Sequence, residues 1–267
     1  MSRLALPFLN VLVIVLLCSS PQAQAHDTWV QVNTPLIRPN DAVYVDLLLG
    51  NHGNDHRDFK QASKIRLEPA SLDVVLPDGT KLDLKPQAID TGYTPSEGHW
   101  SAKFVPTAPG LYVVDHAIDS KYLTTRSLKS SKTFFVASAS LDKVPQNTTG
   151  FERAFGHPLE LVMESNPVAP MGPGQALKVR LLYRGKPLAK TKISFIPRGT
   201  TLKEGFDETY ERTTDADGRA SFTPTEGNYY LIAAHREEPE EKGDGYDKTK
   251  YSATIAVLVP QTCPCCD

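Results

Sequence analysis

Between Cys18 and Cys263 the chain has no cysteine, and the remaining two, Cys265 and Cys266, stand in the last five residues. No disulfide can staple the body of the protein, so its stability must come from packed cores. A basic stripe is also missing. With a formal net charge of −2 and no clustered Lys/Arg run, nucleic acid is not an expected partner. Long apolar runs are absent too: the longest, Leu4 to Leu17, falls short of the about 20 residues that a membrane span needs. Nor does the chain contain a Gly-x-Ser-x-Gly elbow, a phosphate loop or a His-Glu-x-x-His pair, so an enzyme is not the expected class.

What is present begins with an export signal. Arg3 forms a short basic region, Leu4 to Leu17 an apolar one, and Ala23-Gln24-Ala25 a small-residue cleavage site. Lipid attachment at Cys18 is disfavoured by Leu17, which stands where a small residue is wanted. Residues 1–25 are therefore read as a signal peptide, and the protein as periplasmic or otherwise exported, with no membrane span once the signal is removed. Its loss removes one positive charge, Arg3, and takes the formal charge from −2 to −3. Cleavage after Ala25 makes His26 the N-terminus. A terminal histidine offers an α-amine, with a pKa of about 7.7, and an imidazole on one residue, a chelate for a transition metal.

The mature chain reads as all-β: two immunoglobulin-like β-sandwich domains, over 26–137 and 157–260, joined by a linker at 138–156 and followed by a Cys-rich tail at 261–267. In the first, Trp29–Val32, Val43–Leu49, Leu72–Leu76, Lys81–Leu84, Trp100–Val105, Leu111–Ile118 and Thr133–Val136 alternate or run apolar between turn residues. Pro77-Asp78-Gly79-Thr80 predicts a hairpin. In the second the strands are Leu159–Val162, Leu177–Tyr183, Lys192–Ile196, Arg219–Phe222, Tyr229–Ala234 and Tyr251–Val259. Arg184-Gly185-Lys186-Pro187 and Asp215-Ala216-Asp217-Gly218 mark turns between them. Asp215–Gly218 lacks the later ligands of a calcium loop and reads as a hairpin turn. Tyr112 and His116 in one half, and Tyr229 and His235 in the other, are an even number of residues apart and share a strand face; each tyrosine is expected to anchor a corner.

Six further histidines accompany His26. His52 and His56 fall in the polar stretch Gly50–Asp58 after an apolar strand, read as a loop, where binding residues commonly lie. His235 is placed at a strand end before the acidic segment Arg236–Asp247, whose run Glu237–Asp244 reads as a solvated loop, and His116 at a similar strand end. His26, His52 and His235 are the expected metal ligands, with His56 and His116 as further candidates; His99 and His157 read as structural. Amine and imidazole nitrogens suit nickel, cobalt, copper and zinc. Cys263-Pro264-Cys265-Cys266 lacks a four-ligand zinc spacing, and its role stays open between metal relay, disulfide and an unstructured terminus.

Several of these segments resemble a known family. They are Ala25-His26-Asp27-Thr28-Trp29, Leu49-Gly50-Asn51-His52-Gly53, His157-Pro158-Leu159-Glu160-Leu161-Val162, Leu181–Leu188, Thr214–Arg219, Ala233-Ala234-His235 and Tyr251-Ser252-Ala253-Thr254. Together they are similar to domain-of-unknown-function family 4198, exported proteins grouped with periplasmic components of cobalt and nickel uptake. The resemblance implies a bound divalent metal, with His26 as first ligand, His52 and His235 as the next, and a membrane metal-uptake system as partner. One departure stands out: the common pattern has the loop histidine directly after glycine, whereas here Asn51 intervenes. The expected function is therefore a periplasmic binding protein for a divalent transition metal, nickel or cobalt. A copper histidine-brace redox protein and a metal-free immunoglobulin-like surface or adhesion module are the alternatives.

Overall fold

The structure, a computed structural model, describes residues 26–52, 57–61, 63–92, 94–142 and 144–262. The signal peptide, His56 and the three tail cysteines lie outside the described residues. Among the described residues the regular secondary structure is almost entirely strand. In order the strands are β1 (His26–Val32), β2 (Leu36–Ile37), β3 (Val43–His52), β4 (Arg57–Gln61), β5 (Ala70–Val75), β6 (Lys81–Asp83), β7 (Ala88–Asp90), β8 (Trp100–Phe104), β9 (Gly110–Tyr122) and β10 (Thr125–Ala137). After a stretch without a described strand come β11 (Leu159–Met163), β12 (Leu177–Tyr183), β13 (Lys186–Pro187), β14 (Lys192–Pro197), β15 (Glu211–Thr213), β16 (Arg219–Phe222), β17 (Asn228–Glu238) and β18 (Lys248–Val259). Among the described residues no helix is long and apolar enough to cross a membrane.

The strands build two sandwiches that share one sheet. A central sheet of order β15-β14-β17-β18-β10-β9-β5-β6 runs through both halves of the chain, because β10 and β18 pair in parallel from Thr125↔Lys248 to Thr133↔Ala256. The sheet β1-β3-β8-β7, with β4 on β3, covers one face of it; the sheet β11-β12-β13, with β16 on β12, covers the other. Tyr112, Val114 and Phe135 pack towards β1, β3 and β8, while Leu111, Val113 and Phe134 join the core of the second sandwich. Leu111–Val114 of β9 and Phe134–Phe135 of β10 are thus buried on both faces. Between β10 of the central sheet and β11 of the outer sheet, Val144, Phe151 and Phe155 pack into the second core.

Local chemistry explains several elements. Thr80 N–H bonds the Asp78 carboxylate, and Gly79 takes φ 91°, closing the expected β5–β6 hairpin. Arg184 and Gly185, both with positive φ, close the β12–β13 hairpin. Other expectations need correction. Asp215–Gly218 is a turn, but it links β15 in the central sheet to β16 in the outer sheet and makes no hairpin. The corner tyrosine of the second half is Tyr230, whose hydroxyl donates to Glu226 O four residues back, as Tyr112 donates to Ala108 O. Tyr229 faces the other way and donates to Val32 O.

Candidate functional site

The site grows from β1. Its valines Val30 and Val32 enter the first core, and on the opposite face Trp29 packs with Leu48, Ile196, Leu231 and Ala256. This double burial holds β1 over the central sheet as far as its first residues, and Asp27 and Thr28 are fully enclosed although both are polar. Such groups need partners, and two histidines supply them. His235 Nε2 donates to both carboxylate oxygens of Asp27, at 2.9 and 2.8 Å. His116 takes the next residue: its Nε2 lies 3.1 Å from Thr28 Oγ1 and its Nδ1 2.7 Å from Ser71 O.

The two rings differ in their surroundings. A carbonyl only accepts, so His116 carries its proton on Nδ1 and accepts from the Thr28 hydroxyl at Nε2. Burial holds its pKa down to about 4, the Ser71 hydrogen bond opposing the shift. With both nitrogens engaged and its ring enclosed, His116 stands as a structural histidine and not as the weaker ligand candidate that sequence suggests. In His235 the carboxylate acceptor puts a proton on Nε2. The ring is partly exposed, whereas the Asp27 carboxylate behind it is fully buried.

His26 is the first residue of β1, directly opposite Asn51 of β3. Lys129 of β10 donates to its carbonyl oxygen. Burial pushes the Lys129 ammonium below its ordinary pKa, and the Asp27 charge opposes that shift. His52 is the last residue of β3, at a register shift where β4 pairs, and so belongs to a strand end and not to the loop expected. His235 likewise lies within β17, which continues to Glu238, and not at its end. The acidic segment after it turns back through a Gly243–Tyr246 bridge. His99 faces Asp46 at 3.7 Å, and His157 donates to Asp115 at 2.7 Å.

Direct contact thus joins Asp27 to His235, and Lys129 to the main chain of His26; the β1–β3 register brings the backbone of His52 alongside. Among the described residues no three His, Cys, Asp or Glu side chains are grouped to hold a metal. The chemistry present nevertheless fits a divalent cation. Imidazole donors are there, and a metal-binding histidine characteristically passes its second N–H to a carboxylate, the relation of His235 to Asp27. One buried hydroxyl close by, Ser252 Oγ, has no hydrogen-bond partner. Sequence reasoning missed Asp27, Lys129 and Ser252. Asp27 was visible beside His26, but nothing local distinguishes a buried aspartate from a solvated one.

No curated protein matches the chain in sequence. Among solved structures, the D0-D1 domain of intimin is 15% identical, with 87% of this chain and 98% of that one covered and a TM-score of 0.25. Salmonella alpha-2-macroglobulin reacted with methylamine is 14% identical over 88% of this chain, which spans 15% of that protein, at a TM-score of 0.26. A DUF4785 family protein from Legionella pneumophila is 10% identical over 77% of this chain and 50% of its own length, at a TM-score of 0.28. Residues 23–238 match the model of a family described as a domain of unknown function, and the chain belongs to that family, DUF4198.

Proposed function

We propose that this is an exported binding protein for a divalent transition metal, nickel or cobalt, which it presents to a membrane uptake system. The α-amine and imidazole of a processed His26 chelate the ion, His235 supplies a further nitrogen, and His52 at the end of β3 completes the set. The observation that carries this reading is the bond from His235 Nε2 to the buried Asp27 carboxylate, one residue after His26. That bond fixes the ring and its tautomer and raises the basicity of the other nitrogen. A buried carboxylate spent on a partly exposed histidine is costly as mere decoration. As a ligand-orienting pair it has a task.

The test uses protein recovered after export. Native intact mass gives the processing point and any bound nickel or cobalt together. Competition against a chromophoric chelator should then show His26→Ala losing most affinity, and Asp27→Asn losing about 10- to 100-fold. Equal metal affinity in the exported protein and His26→Ala would sink the proposal. Copper offers itself to the same donors, and a copper(II) spin-resonance spectrum with reductant turnover would redirect the reading to redox chemistry.

A further inference from the structure

Three directly paired positions form a row across the central sheet beneath the start of β1: His235 on β17, Ser252 on β18 and Lys129 on β10. Paired residues share a face, and neighbouring strands lie about 4.8 Å apart. His235 and Lys129 both reach up to β1, the one to Asp27 and the other to the His26 carbonyl. Ser252 between them points the same way. It is only 5% exposed, and its hydroxyl has no hydrogen-bond partner. The next hydroxyl on that face, Thr254 Oγ1, is by contrast satisfied by Thr28 O at 2.7 Å. Ser252 is thus a buried donor aimed into the candidate site and unused by the protein.

Charge gives the reason for a second ligand. The Asp27 carboxylate is already engaged by His235, and the imidazoles that bind a metal bring no charge of their own. A divalent ion set here finds its charge uncompensated by the enclosed groups, an unfavourable state away from water. Lys129 has three N–H groups to give, and one goes to His26 O. We propose that the site takes its cation together with a small carboxylate, one oxygen of which accepts from Ser252 Oγ–H and Lys129 Nζ–H. The inference rests on the metal-binding reading above and names the form in which the ion is carried: a metal–carboxylate complex and not the bare ion.

The experiment is nickel titration of the exported full chain in chloride and in millimolar acetate at equal ionic strength. Acetate should tighten nickel binding at least tenfold in the unaltered protein. In Ser252→Ala and in Lys129→Met the ratio of nickel affinity in acetate to that in chloride should fall to about one, whatever the affinity in chloride, while Ser252→Thr, which keeps the hydroxyl, should retain the ratio of the parent. Thermal midpoints near that of the parent would show that the variants are folded. Nickel bound equally well with and without acetate, or an acetate effect that survives Ser252→Ala, overturns the carboxylate proposal and leaves metal binding standing, with water alone on Ser252. Absence of nickel binding in either medium overturns both.

Discussion

Asp27 and Thr28 are consecutive residues of one strand, so their side chains leave it in opposite directions, and each meets a histidine from the same central sheet. The consequences for titration follow from enclosure. His116 has its pKa held at about 4 in the folded chain, below its ordinary 6.5. Between these values the unfolded chain binds a proton that the folded one does not, so stability rises with pH across this window. The His116 contribution is complete above about pH 6.5 and is lost as pH falls to about 4, by about 3 kcal/mol for a shift of this size. Denaturant midpoints measured from pH 7 to 4 should fall in the parent, and the fall should be shallower in His116→Gln. Identical slopes would show that the ring does not set it.

At the scale of elements, β10 shows why part of the fold is hard to read locally. Its first half, Thr125 to Lys132, is Thr-Arg-Ser-Leu-Lys-Ser-Ser-Lys, which has neither alternation nor apolar weight and reads as a connection. It is nevertheless a strand, paired with β9 on one edge and β18 on the other. Its polar residues face the covering layers and tie them down. Ser131 Oγ accepts from Val30 N in one layer, and Ser130 Oγ donates to Leu159 O in the other. Lys132 is enclosed, donating to Glu160, Arg153 O and Leu161 O, while the Glu160 carboxylate also accepts from the backbone N–H groups of Phe155, Gly156 and His157. Glu160→Ala leaves an enclosed ammonium and orphaned amides, and should destabilise by about 3–5 kcal/mol. A loss below about 1 kcal/mol by chemical denaturation would mean that water replaces the carboxylate there.

At the scale of the whole molecule, the parallel pairing of β10 with β18 makes the two sandwiches one hydrogen-bonded body. Separating them exposes a nine-pair ladder as well as the Lys132–Glu160 clasp. The halves should therefore unfold together. Trp100 packs in the first sandwich, whereas Trp29 touches Ile196, Leu231 and Ala256 of the second half; in a Trp29→Phe variant fluorescence therefore reports the first sandwich, and far-ultraviolet dichroism reports both. The two denaturation curves should coincide. Two separated midpoints would show halves that are merely tethered.

Much of the all-β design was legible in residue order. Val43–Leu49, Leu177–Tyr183 and Arg219–Phe222 have apolar periods and bordering turn residues that no packing detail can disguise, and strands lie at each. Those signals are local, because side-chain alternation and turn chemistry depend on neighbours in the chain. Sequence also singled out His26 and His235, as two ligands of one expected metal site with His52. Only tertiary structure decided that Asp27 backs His235, that His116 is sealed by Thr28 and Ser71, and that Lys129 and Ser252 stand beneath the first residue of β1. A polar residue reads alike whether solvated or enclosed, and the partners that distinguish the two cases lie from 45 to 208 residues away.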